Sequence, residues 1–168
     1  MKWIVLFPFL LQGIAILVDE IYFHRKRGLP AWERIGHPLD TLCLLICMSM
    51  IIFVPFSLFT LKIYGVLALF SCLMVTKDEF IHKHHCPWAE NWLHALLFIL
   101  HPITLACAAL LWPIIQQNQV LPWNYSWLNE PAFYTWFFYL ETGLICLFFG
   151  YQLIFWNFVW NKNTVIKQ

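Results

Sequence analysis

The chain has 168 residues, of which 61% are hydrophobic and only 11% charged, with a formal net charge of +1. Soluble domains carry about a quarter charged residues, so this composition excludes an ordinary soluble domain and points to a membrane bundle. The near-zero charge gives no electrostatic case for nucleic acid, and residues 1–168 read as a single integral-membrane domain.

A spanning helix needs roughly 20 mainly apolar residues. Five segments qualify, at about 3–24, 38–59, 62–84, 91–115 and 133–158, and the mean hydropathy is +0.68. The apolar run after Lys2 also has the shape of a secretory signal, but no small-residue cleavage site follows it. The run leads instead into Asp19-Glu20, so it is expected to be the first spanning helix.

Short, Pro- and Gly-marked connections at 25–36 and 85–89 predict antiparallel hairpins of helices 1/2 and 3/4. The expected fold is therefore all-α, with two pseudo-repeated halves at about 1–60 and 61–115 forming a four-helix bundle, and a fifth helix added. The longer connection at 116–132 is Trp-rich and reads as an external loop resting at the interface. Asn124-Tyr125-Ser126 within it matches a glycosylation sequon of low specificity.

Arg25, Lys26, Arg27, Arg34, Lys77, Lys83, Lys162 and Lys167 fall on one side of this topology, and only Lys2 and Lys62 on the other. The bias of Lys and Arg sets orientation. It predicts a bacterial inner-membrane protein with its N-terminus outside and its charged side and C-terminus cytoplasmic. The six cysteines lie mostly inside spans and read as reduced, buried thiols.

The polar residues are not scattered. Seven of the nine carboxylates and all seven histidines lie between positions 19 and 101. They also repeat. Asp19-Glu20 with His24, then Pro30, Glu33 and His37, is matched by Asp78-Glu79 with His82, then Pro87, Glu90 and His94. The Asp-Glu pairs are 59 residues apart, and the Pro, Glu and final His are 57 apart.

Helices 1 and 3 end, and helices 2 and 4 begin, in these clusters, so all four polar ends are expected on one membrane side. Spacings of three, four and seven share a helical face. They group Glu20 with His24, Glu33 with His37 and Asp40, Asp78 and Glu79 with His82 and His85, and Glu90 with His94 and His101. Two such hairpins would aim every set at a common centre.

Ionisable groups at membrane depth are costly unless paired, hydrated or metal-bound. Clustered carboxylates repel one another, and divalent cations relieve that repulsion. Mixed carboxylate and imidazole sets suit iron, manganese or zinc. Helix capping with solvated charges is the competing account, and it suits Glu33 and Glu90 at helix starts. It suits Asp19, Glu20, Asp78 and Glu79 less well, because the helix dipole disfavours carboxylates at C-terminal ends.

The expected metal ligands are Glu20, His24, Glu33, His37, Glu79, His82, His85, Glu90 and His94. Asp19, Asp40, Asp78, His84 and His101 are expected as further ligands or as hydrogen-bond partners of ligands, Asp40 as an acceptor that orients His37. His101, two turns from His94, is open to three roles: ligand, proton relay or packed neutral imidazole. Glu141 is the one intramembrane charge outside the cluster, with a structural hydrogen bond and a functional role both open.

One Glu from each of two helices, plus a Glu/His pair from each of the other two, resembles the ferritin-like di-iron carboxylate arrangement. Glu20, Glu33, His37, Glu79, Glu90 and His94 are the matching positions, although both Glu/His pairs here are four apart and that family spaces them by three. The histidines are also similar to those of the membrane desaturase and hydroxylase superfamily. His82-Lys83-His84-His85 approaches its His-x-x-His-His box with one fewer spacer, and its other boxes are absent. The resemblance implies two metal ions, iron foremost with zinc or manganese as alternatives.

These readings converge on a di-metal oxidoreductase, a hydroxylase, desaturase or oxidase acting on a lipid-soluble substrate at the cytoplasmic face. No segment is left over for a nucleotide or flavin domain, so electrons are expected from a quinol or a partner protein. Membrane lipids are the other expected partners, and a bundle of this size also suits an oligomer or a subunit of a larger complex. Two alternatives remain: a metal-ion transporter or sensor, and a zinc-dependent membrane hydrolase.

Overall fold

A computed structural model describes residues 2–78, 87–116 and 130–160. The described residues are mostly helical, with short non-helical stretches at 28–32 and 54–57. Helix α1 spans Phe7–Val18 and runs on through a π-helical turn, Asp19–His24, and a last turn at Arg25–Arg27. Helix α2 covers Glu33–Phe53, α3 Leu58–Val75, α4 Trp88–Ile115 and α5 Pro131–Ile154, the last continuing as a π turn over Phe155–Val159. All five are long and apolar enough to cross a membrane.

Local chemistry sets the ends. Gly28, with φ +74°, closes α1 in a backbone region that glycine alone enters freely, and its amide bonds the His24 carbonyl at 2.7 Å. Helix α2 begins five residues before the expected position, because Pro38 is accommodated inside it. It stops at Phe53, two residues before Pro55, which disfavours helical backbone in the residue ahead of it. Ser57 and Thr60 then form a reciprocal capping box that starts α3. Pro87 precedes α4, which carries Pro102 and Pro113 within its length.

The helices pair unevenly. Helix α2 packs most extensively on α5, α1 on α4, and α2 on α3. Helix α1 thus rests chiefly on α4, so the sequence neighbours α1 and α2 are not the main packing pair. Two hydrogen bonds run along the α1/α4 seam, Gln12 to His101 and Asp19 to His94. Seven residues forward on α1 are seven back on α4, which is the register of an antiparallel pair.

The apolar core fills one half of the bundle. Phe9, Cys47, Met48, Ile51, Trp112 and Phe138 are all at most 1% exposed there. Phe9 meets Phe137 and Phe138 edge-on, at centroid distances of 5.4 and 5.5 Å. Trp112 Nε1 donates to the Val54 carbonyl at 3.0 Å, and Tyr64 Oη to the Leu105 carbonyl at 2.8 Å, which satisfies both polar tips in an apolar setting. Outward-facing residues such as Phe59, Val66, Leu69, Trp92, Ile99 and Leu147 are large, apolar and exposed, as a lipid-facing surface requires. The polar residues are gathered in the other half.

Candidate metal centre

Four helix ends converge on the polar half: the C-terminal ends of α1 and α5 and the N-terminal ends of α2 and α4. The buried polar residues there include Asp19, Glu20, His24, Glu33, Glu90 and His94. Asp19, His24, Glu90 and His94 each offer a ligand atom, and these atoms all lie within 4.8 Å of one another. His24, Glu33 and His37 form a second such group, sharing His24 with the first.

The π turn explains how α1 supplies two members. In an α-helix, residues five apart point about 140° away from each other. The π turn over Asp19–His24 widens the helix locally, and Asp19 Oδ2 comes to lie 3.3 Å from His24 Nε2. The same carboxylate oxygen is 3.1 Å from His94 Nε2. Asp19 therefore sits between two imidazoles from different helices. Single π turns of this kind recur at functional sites.

Glu20 is turned to the other side. Its Oε1 accepts hydrogen bonds from Tyr151 Oη at 2.8 Å and Trp156 Nε1 at 2.7 Å, both from α5 and its π extension. Its Oε2 lies 3.3 Å from His24 Nδ1. Glu20 thus holds one nitrogen of His24 and leaves the other facing Asp19 and, at 3.8 Å, Glu90. A metal-binding imidazole needs this kind of support to fix its tautomer and orientation.

Arg27 closes the centre. Its Nη2 donates to Glu33 Oε2 and to Glu90 Oε1, both at 2.9 Å. Two carboxylates at most 1% exposed would repel without a cation between them. His37 Nε2 lies 3.9 Å from Glu33 Oε2, and its ring is 4.6 Å from that of His24. Asp40 forms an ion pair with Lys77.

These residues fit a divalent cation. Asp19 Oδ1 and Glu90 Oε2 are buried and have no hydrogen-bond partner among the described residues. A buried carboxylate oxygen left unbonded is rare and calls for a counter-charge. Asp, Glu and His are oxygen and nitrogen donors, and no thiol joins either group. The five described cysteines, Cys43, Cys47, Cys72, Cys107 and Cys146, are free.

A cavity of about 100 Å³ opens from the ligands into the bundle. Asp19, His24, His37 and His94 line one end, and Gln12, Ile16, Leu97, Phe98, His101 and Phe148 continue it inward. His101 is 4% exposed and engaged on both nitrogens, with Nδ1 3.0 Å from Gln12 Nε2 and Nε2 2.9 Å from Ser71 Oγ. Of its three expected roles, this geometry is that of a packed, hydrogen-bonded imidazole. Gln152 of α5 accepts from Thr41 Oγ1 at 2.7 Å.

The sequence-expected residues divide three ways. His24, Glu33, His37, Glu90 and His94, with Asp19, are brought together. Glu20 supports His24, and Asp40 faces Lys77. Glu79, His82, His84 and His85 lie outside the described residues, as does the side chain of Asp78. Glu141 lies ten residues before Tyr151 on α5, about 15 Å along the helix from the site. Sequence reasoning did not assign Tyr151 and Trp156 to the centre, nor α5 as a wall of the cavity. No family model matches the chain, and no curated protein or solved structure is significantly similar to it.

Proposed function

We propose that the protein is an integral-membrane di-metal oxidoreductase, a hydroxylase, desaturase or oxidase working on a lipid-soluble substrate. The observation that carries this reading is the pair of overlapping ligand groups. Asp19, His24, Glu33, His37, Glu90 and His94 make six candidate ligands, whereas a lone zinc takes three or four. Six carboxylate and imidazole donors, all but His37 buried, suit two metals, and iron fits such a set.

Bound iron supplies the oxygen and one-electron chemistry. The protein's own residues do the rest. Asp19 and Glu90 offer the unbonded carboxylate oxygens, Glu20 holds His24 in orientation, and Arg27 compensates Glu33 and Glu90. The apolar part of the cavity excludes water and admits an aliphatic group beside the ligands. Lys and Arg crowd near this end, which supports a centre facing the cytoplasm, in our reading across a bacterial inner membrane. Electrons reach it from a quinol or a partner protein.

Elemental mass spectrometry of the detergent-purified protein tests the reading, beside a Glu33→Ala/Glu90→Ala variant. About two irons per chain in the native protein, lost in the variant, is the expected result. Stoichiometric zinc would transfer the assignment to a metal-dependent hydrolase, and absence of metal from both samples would end the metalloenzyme reading.

A further inference from the structure

Among the polar groups of the cavity that the metal reading leaves unused, Gln12 stands out. Gln12 lines it, seven residues and about 10 Å along α1 from Asp19, and is 4% exposed. Its amide nitrogen is engaged by His101 at 3.0 Å. Its carbonyl oxygen, Oε1, is buried and has no hydrogen-bond partner among the described residues. Native interiors rarely leave such an acceptor unpaired.

The surrounding polar groups do not relieve it. Gln12 Nε2 can only donate, so His101 Nδ1 accepts, the imidazole proton sits on Nε2, and Ser71 Oγ receives it at 2.9 Å. Thr41 donates to Gln152 across the cavity wall at 2.7 Å. Ile16, Leu44, Leu97, Phe98 and Phe148 make up much of the remaining lining and offer no side-chain donor. The unpaired acceptor therefore calls for a donor, which a buried water or a ligand can bring, and the largely aliphatic lining favours a ligand that is otherwise apolar.

Size narrows the class. The cavity measures about 100 Å³. An engineered apolar cavity of about 150 Å³ binds benzene, so this smaller one favours an unbranched chain over a ring. A carbonyl, ether or ester would set a second acceptor against Oε1, and only an O–H or N–H answers it.

We propose that this cavity binds the hydroxyl end of an unbranched aliphatic alcohol, its O–H donated to Gln12 Oε1 and its neighbouring carbons lying toward Asp19 and His94. This names the substrate class of the centre described above. It rests on the metalloenzyme reading for what happens to the alcohol, but not for its binding.

Photolabelling of the full chain in lipid nanodiscs tests it. The probe is dodecan-1-ol carrying a mid-chain diazirine, with competition by unlabelled dodecan-1-ol and by its methyl ether. The alcohol is expected to compete roughly tenfold better than the ether, which keeps the chain and lacks the donor. Labelling is expected on peptides that line the cavity, and to fall by a similar factor in Gln12→Leu. Equal competition by the ether, labelling confined to other surfaces, or undiminished labelling of Gln12→Leu overturns the proposal. The ether comparison uses the native protein, so it decides even where the variant fails to fold.

Metal content measured on the same samples separates the two readings. Selective alcohol binding by a protein without metal leaves this site standing and removes the metalloenzyme. Full metal occupancy with no preference for the alcohol does the reverse.

Discussion

Glu33 and Glu90, 57 residues apart in sequence and on different helices, meet at the same nitrogen of Arg27. The guanidinium is the positive charge that lets two buried carboxylates coexist without metal. Removing one partner of a buried ion pair costs about 3–5 kcal/mol, because the remaining charges stay desolvated and unopposed. Arg27→Gln should therefore melt well below the native protein in the presence of a chelator. Added divalent metal should narrow the gap, since a cation can take over the same role. A variant that melts like the native protein in chelator would show that Arg27 carries no such duty.

Asp19 touches both His24 and His94, so it is the carboxylate on which the first ligand group turns. Asp19→Asn keeps the shape and removes the charge. We expect metal affinity to fall by at least about tenfold, with the helical content unchanged. Equilibrium dialysis against graded metal, read by elemental analysis, gives the comparison.

Tyr151 and Trp156 both donate to Glu20 Oε1. Hydrogen bonds to a charged group are worth about 1.5–3 kcal/mol. Tyr151→Phe and Trp156→Phe should each lower thermal stability by an amount in this range. They should also weaken metal binding by about 10–100-fold, because Glu20 then holds His24 less firmly. Stability loss with metal affinity intact would reduce Glu20 to a purely structural role.

His101 is satisfied by Gln12 and Ser71, and its nitrogens are occupied. His101→Leu should leave both partners unpaired and cost about 1–3 kcal/mol. Metal content per chain should not change. A drop in bound metal would make His101 a ligand after all.

Gly28 combines a φ of +74° with close approach to Trp160, whose ring would lie 3.3 Å from an added Cβ. Gly28→Ala should destabilise the protein by about 1–3 kcal/mol through backbone strain. Chemical denaturation of the two proteins side by side measures it.

Much of the fold was readable because a spanning helix announces itself by length and apolarity alone. Helix ends were less so. The connection expected at 25–36 gives way to helix from Glu33, because the backbone carries Pro38 within α2, and the start moves five residues earlier. The gathering of His24, Glu33, His37, Glu90 and His94 followed from three- and four-residue spacings. Asp19 was harder: its partnership with His24 spans five residues, which an α-helical period hides and only a π turn brings round. Tyr151 and Trp156 were hidden for a different reason. Aromatic residues crowd membrane chains for interfacial and lipid-facing reasons, so two that serve a carboxylate carry no distinguishing signal in the sequence.

The π turn between Asp19 and His24 sets a limit of another kind. It is in effect one residue more than a regular helix would hold over the same rise, and each residue turns an α-helix by about 100°. Deleting one residue between Asp19 and His24 would restore the regular helix over that rise and leave Arg25, Lys26 and Arg27 in place, whereas deleting a second would swing them round the axis by that angle and take Arg27 away from Glu33 and Glu90. Residues such as Ile21 and Tyr22, which face outward, can change identity freely. The length of the segment can fall by one residue and no more. Over the course of divergence, this stretch would accept substitutions and a gap of one residue, but not a longer one.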